Sequence, residues 1–195
     1  MARILIVEGA SRGLCLAGAL IAKGHAVRVV TSNPERRGEI EQIGGECFLG
    51  TPARLATLRG VLEHVTIACW LLADADGDQE LVRALNGSRL QQFLGSAIDS
   101  TLRGFLYEAD STHVPAEVLA EGERIVSETT ARNLIPAVIL RVDPSNPDTW
   151  LAQARGGVEE LLEASPASVD ARYADTYIPK SRSAFGGEAS TQEDS

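Results

Sequence analysis

The chain has 195 residues, 44% hydrophobic and 23% charged, the composition of one ordinary globular domain long enough to bury a core. Its 27 acidic and 18 basic side chains leave a net charge of −9, which excludes a general nucleic-acid binder, since such proteins need a basic face to displace counterions. No apolar run approaches the roughly 20 residues that cross a bilayer. The opening "MARILIVEG" also lacks the basic-then-apolar pattern of a secretory signal, so a cytoplasmic protein without membrane contact is expected.

A first strand spans about Arg3 to Val7, and a helix follows from about Gly13, with Leu14, Ala17, Gly18 and Ile21 on one face. Gly24 suits its C-cap. A second strand covers Ala26 to Thr31. Asn33 and Pro34 then read as cap and first residue of a helix that Gly44 and Gly45 stop. After a short third strand, Glu46 to Leu49, "GTPARLATLRGVLEHV" predicts a helix capped by Thr51, with Leu55, Leu58 and Leu62 on one side. "VTIACWLLA" is a continuous apolar run that suits a central parallel strand.

Two helices come next, in "DQELVRALNG" and in "SRLQQFLGSAIDST", the second with Leu90, Phe93, Leu94, Ala97 and Ile98 inward. The fifth strand is Gly104 to Ala109. A helix from near Pro115 turns Val118, Leu119, Ile125 and Val126 inward. The sixth strand is Pro136 to Val142, and a closing helix carries Trp150, Leu151, Ala154, Val158 and Leu161 on its apolar side. Residues 179–195 are small and polar and are expected to form a disordered tail behind a single domain over 1–178.

Six strands alternating with helices imply an α/β fold: a doubly wound parallel sheet of about six strands with helices on both faces, the Rossmann arrangement. Ligands of such sheets sit beyond the carboxyl ends of the strands, here near strands one and four. Cys15, Cys47 and Cys69 are odd in number and include no CxxC pair, so buried, reduced thiols are expected rather than disulfides or a zinc site. Asp74, Asp76 and Asp78 lack the terminal Glu of a calcium loop, and no metal is expected.

The turn after strand one reads "EGASRGLCL". Glycine there lets backbone N–H groups approach a pyrophosphate, and the helix start adds unpaired donors and partial positive charge. "GASRGL", Gly9 to Leu14, resembles the loop of the short-chain dehydrogenase/reductase family. It departs at Glu8, where Thr is usual, and at Cys15, where the last Gly is usual. The brevity of the chain and "ILRVDP" after strand six look more like the atypical NmrA-like and epimerase/dehydratase-like branch.

The resemblance implies a nicotinamide dinucleotide held by Gly9, Ser11, Arg12, Gly13 and Leu14, with Trp70, Leu71 and Leu72 lining the nicotinamide pocket. Strand two ends without the carboxylate that would bind the ribose hydroxyls of NAD. Ser32 and Asn33 are neutral, and the guanidinium groups of Arg12 and Arg36 suit a 2′-phosphate, so NADP is favoured over NAD. The adenine-side Asp of the family is replaced by Thr51.

Reductases of this family use a Tyr with a Lys four residues on as proton donor. The corresponding helix, "VPAEVLAEGERIVSETTARN", contains neither. The chain beyond strand five reads "EADSTHVP". Ser111 or Thr112 stands where the family holds the substrate oxygen, and His113 can give a proton near neutral pH, oriented by Asp110 or Asp143. No nucleophile elbow supports a hydrolase.

Three functions remain open. One is an NADP(H)-binding reductase of a small acceptor that needs no Tyr-Lys pair. Another is a non-enzymatic dinucleotide sensor acting through a protein partner. The last is a scaffold that binds no ligand. In the resemblance the helices flanking strand five pair two chains, which makes a homodimer an expectation.

Overall fold

The computed structural model describes residues 1–7, 10–73, 75 and 77–164. The expected tail at 179–195 lies outside them, as do Glu8, Gly9, Asp74 and Asp76. The strands are β1 (Arg3–Val7), β2 (Ala26–Thr31), β3 (Glu46–Leu49), β4 (Ile67–Trp70), β5 (Gly104–Glu108) and β6 (Ala137–Leu140). The helices are α1 (Ala10–Ala22), α2 (Arg37–Gln42), α3 (Gln79–Asn86), α4 (Ser88–Ile98), α5 (Ala116–Arg132) and α6 (Pro147–Glu163). All neighbours pair in parallel, in the order β3-β2-β1-β4-β5-β6. The doubly wound sheet expected from the alternation is therefore present, and the order reverses between β1 and β4.

The sheet separates two apolar layers, because successive strand side chains point to opposite faces. Leu5, Val7, Trp70, Phe105 and Tyr107 meet Phe93 and Leu94 of α4 and Ile125 and Val126 of α5 on one face. Ile4, Ile6, Ile67, Cys69 and Leu106 meet Leu16 and Leu20 of α1 and Trp150 and Val158 of α6 on the other. The four β1 side chains from Ile4 to Val7 are fully buried, which is why that strand reads as an unbroken apolar run.

Three expectations are corrected. Helix α1 begins at Ala10, before Gly13, and buries Leu16, Ala17 and Leu20 most deeply, with Leu14 and Ile21 only partly covered. Its sequence carries two overlapping apolar stripes, and periodicity alone does not choose between them. Cys15 is exposed on α1, Cys47 is half-buried and Cys69 is buried, so only one thiol matches the expected burial.

The expected helix after Thr51 is only a short 3-10 turn, Leu55–Leu58. The buried guanidinium of Arg28 on β2 draws the chain into another shape. Its Nη1 donates to the carbonyl oxygens of Val61 at 2.6 Å and Gly60 at 3.3 Å, and carbonyls so used are lost to helical i→i+4 pairing. Gly60 (φ 77°) and His64 (φ 60°) take left-handed backbone there. The Thr57 hydroxyl accepts from the Thr51 N–H at 2.8 Å and donates to the Arg54 carbonyl at 2.7 Å, a local alternative to helix. Thr51 itself accepts from Ala53 N–H at 3.2 Å and caps no α-helix.

Candidate functional site

Helix α1 starts three residues after β1 ends, at the point where the strand order reverses. The first four N–H groups of a helix have no partner within it, and α1 carries no acidic side chain in its first turn. Ser11 is exposed on that turn. Gly13 is buried above β1, where an added Cβ would stand 3.4 Å from Ile6 Cγ2, an ordinary contact. Leu14 is half-buried against the α1 layer. Cys15 faces solvent, so the slot where the third glycine is usual makes no close helix–strand contact here.

Arg12 takes a direction that its sequence position does not reveal. Its Nη2 donates to Glu108 Oε1 at 3.0 Å, and its guanidinium stands 5.3 Å from the centre of the Trp150 ring. Glu108 ends β5, on the far side of β1 from β2, so the Arg12 side chain is turned away from the place a 2′-phosphate would occupy. The Glu108 carboxylate is fully buried. It also accepts from Trp150 Nε1 at 2.8 Å and from the Ala73 N–H at 3.3 Å. Buried charge is tolerated only when paired and hydrogen-bonded, and Glu108 meets both conditions. Sequence reasoning did not single out Glu108. The only local signal is a carboxylate at the end of an otherwise apolar strand.

Beyond β2, Thr31 is buried and its Oγ1 accepts from the Asn33 N–H at 3.1 Å. The Asn33 side chain accepts from the Glu35 N–H at 2.9 Å and caps the 3-10 turn Pro34–Arg36. Ser32 is exposed beside it. Arg36 Nε lies 3.8 Å from a Glu39 carboxylate oxygen, a loose pair. Leu72 does not line an opening. It is 1% exposed and belongs to the core, as do Trp70 and Leu71.

An opening lies between the β4–α3 and β5–α5 connections. It is a cleft of about 270 Å³ lined by Ala75, Gly77, Gln79, Val82, Arg83, His113, Val114, Pro115 and Val118. Of the three candidate catalytic residues, His113 alone lines it. The Ser111 hydroxyl accepts from the main-chain N–H groups of His113 and Val114, both at 3.0 Å, and so shapes the turn that presents the imidazole. Thr112 Oγ1 lies 3.0 Å from His113 Nε2. Neither Asp110 nor Asp143 reaches the ring. The Asp143 carboxyl is held below its ordinary range by hydrogen bonds from the Ser145 hydroxyl and N–H and serves the turn before α6.

Tyr107, the described tyrosine, is no proton donor to this cleft. Its hydroxyl donates to Asn86 Oδ1 at 2.8 Å inside the core, and burial together with the negative charge of Glu108 pushes its pKa upward.

Together the strand order and the helix start at its reversal define a Rossmann-type α/β protein. Solved structures with this fold include UDP-glucuronic acid 4-epimerase from Bacillus cereus in complex with NAD, 18% identical with a TM-score of 0.58 over 71% of this chain and 55% of that one. UDP-glucose 4-epimerase from Thermotoga maritima superposes with a TM-score of 0.59 at 14% identity, over 71% of this chain and 54% of that one. Vestitone reductase from alfalfa gives 0.55 at 14% identity, over 71% and 56%. The resemblance to epimerase-like and reductase-like proteins thus holds at the level of fold, and this chain spans about half the length of those structures. No protein-family model matches the sequence, and no curated protein matches it.

Proposed function

We propose that the protein binds a nicotinamide dinucleotide, NADP(H) ahead of NAD(H), across the carboxyl ends of β2, β1 and β4. The observation that carries this reading is the start of α1 immediately beyond β1 at the reversal of strand order, with no acidic side chain in its first turn. The described residues fit the group there. The main-chain N–H groups of the first turn of α1 have no partner within the helix, and donors so placed suit a diphosphate. Ser32, Asn33 and Arg36 stand beyond β2, where a 2′-phosphate would meet the Arg36 guanidinium. The Arg12 guanidinium and Leu72 drop out of the contact set, the one tied to Glu108 and the other buried. Similar folds in complex with NAD add support.

Such a cofactor supplies or accepts a hydride. Under this reading an acceptor lies toward the cleft beside His113, and the protein contributes binding and orientation there without a Tyr-Lys pair. Helix α5 contains neither residue, and Tyr107 is held by Asn86. The same observation favours a second reading, in which the chain senses the dinucleotide and signals to a partner without turnover.

Titration with NADPH and NADH, followed by nucleotide fluorescence and by thermal shift, tests the binding. A ligand bound only to the native state raises the melting temperature. Ser11→Asp leaves the fold intact, since an acid near a helix start favours the helix, yet it should abolish dinucleotide binding by repulsion. Full NADPH affinity in that variant refutes the site. Turnover of quinones, flavins or aldehydes separates reductase from sensor.

A further inference from the structure

We propose that the cleft between the β4–α3 and β5–α5 connections is a binding site for a small organic carboxylate, anchored by Arg83. The inference rests on the dinucleotide reading only in taking this cleft as the acceptor side; the cleft's own chemistry names the class of ligand. The described residues lining the cleft include no carboxylate, while Asp74 and Asp76 of the β4–α3 connection lie outside the described residues. Its polar lining is Arg83, His113 and Gln79. Its apolar lining is Val82, Val114, Pro115, Val118 and Ala75, with Val82 and Val118 each 8% exposed. That is the make-up of a small-molecule site: a largely apolar wall with a few convergent polar groups.

The Arg83 guanidinium makes no hydrogen bond or ion pair among the described residues, although acidic side chains stand close in sequence at Asp78 and Glu80. Asp78 is used elsewhere, its Oδ1 accepting from the Leu81 N–H at 2.8 Å to cap α3. A guanidinium left unpaired at the mouth of a cleft meets a carboxylate bidentately. Gln79 lies one turn before Arg83 on α3, so the two side chains share a face and Gln79 can donate to the same anion. His113 approaches from the opposite wall, its Nε2 beside the Thr112 hydroxyl and its main chain fixed by Ser111. At about 270 Å³ the cleft sits just below the usual range for ligand sites, about 300–1,000 Å³, so it suits a compact acid with an apolar body rather than a nucleotide sugar.

The test compares benzoate with benzamide, which share shape and differ in charge, by amide chemical-shift titration of the full chain with and without NADPH. Benzoate should bind with shifts at Gln79, Arg83, His113 and Val114. Benzamide should bind at least about tenfold more weakly, because it forgoes the charge-assisted bidentate pair with the guanidinium. Arg83→Gln should reduce benzoate to the benzamide level, and Arg83→Glu should abolish it, both without altering NADPH affinity. Arg83 is exposed on α3, so neither change threatens folding. Equal affinities for the two probes, unchanged benzoate binding in Arg83→Gln, or no benzoate binding in either condition overturns the proposal. Failure of the unmutated chain to bind benzoate, with NADPH binding intact, sinks this site alone. Benzoate binding without NADPH binding sinks the dinucleotide reading and leaves this one standing.

Discussion

Arg12 and Glu108 stand 96 residues apart in sequence and meet at 3.0 Å beyond the carboxyl ends of the central strands. The carboxylate is fully buried, and the guanidinium side chain is 22% exposed. The pair joins four elements. Arg12 belongs to the first turn of α1, Glu108 ends β5, Trp150 donates its indole N–H from α6, and the Ala73 N–H donates from the segment after β4. The cluster fixes the start of α1 over the strand ends. The arginine that looks in sequence like a cofactor contact is therefore a structural tie.

Glu108→Ala strips the acceptor from three donors at once. Breaking one partner of a buried pair costs about 3–5 kcal/mol, and partial exposure of Arg12 places the expected loss near the lower end. Arg12→Met leaves a buried carboxylate with fewer donors and should cost a similar amount. The double variant Arg12→Met/Glu108→Leu should lose less than the sum of the single changes, since neither charge is stranded. Urea denaturation of the four proteins gives the coupling, and strict additivity would contradict the tie.

Gly122, in the middle of α5, predicts an inversion of the usual helix rule. Gly→Ala inside a helix ordinarily stabilises by about 1 kcal/mol. Here an added Cβ would lie 2.0 Å from Tyr107 Oη and 2.9 Å from the Asn86 carbonyl. Gly122→Ala should therefore destabilise by about 2 kcal/mol or more, through overpacking and loss of the Tyr107–Asn86 hydrogen bond. Adding Tyr107→Phe removes the closest atom and should recover part of the loss, leaving the contact with the ring carbon at 2.6 Å. A higher melting temperature for Gly122→Ala would show that α5 does not pack as described.

Most of the architecture was legible because it is written locally. Alternating apolar runs and glycine stops gave β2 and β3 with their observed bounds, and Gly87 stops α3 as expected. The features that escaped the sequence depend on partners far away in the chain. The segment after Thr51 has helical composition, but Arg28 reaches it from β2, and a single arginine in a strand reads as an ordinary solvent-facing residue. The cluster of Arg12, Glu108 and Trp150 has no local signature. Trp150 fits an apolar helix face equally well without its indole N–H finding a carboxylate. Ser111, Thr112 and His113 were candidates on the family resemblance alone, and it took coordinates to show Ser111 shaping the turn and His113 lining the cleft.

The three cysteines should separate by reactivity. Only the thiolate attacks a disulfide reagent, and access limits the rate further. Cys15 is exposed and should react with an aromatic disulfide reagent within minutes at about pH 8, and half-buried Cys47 more slowly. Cys69 is buried in β4, where desolvation pushes its thiol from 9.0 up to about 12, so it should react only on unfolding. That shift fixes a pH dependence. The folded-state pKa lies above the unfolded one, so the native state holds its proton where the unfolded chain releases it. The stability tied to Cys69 is intact below pH 9.0 and declines as pH rises from there toward about 12. Cys69→Ala should flatten the first part of that alkaline decline in a denaturation series. Tyr107, raised from its ordinary 10.0 by burial, continues to contribute at higher pH. Labelling of Cys69 in the native protein as fast as Cys15 would place that strand nearer solvent than the sheet order allows.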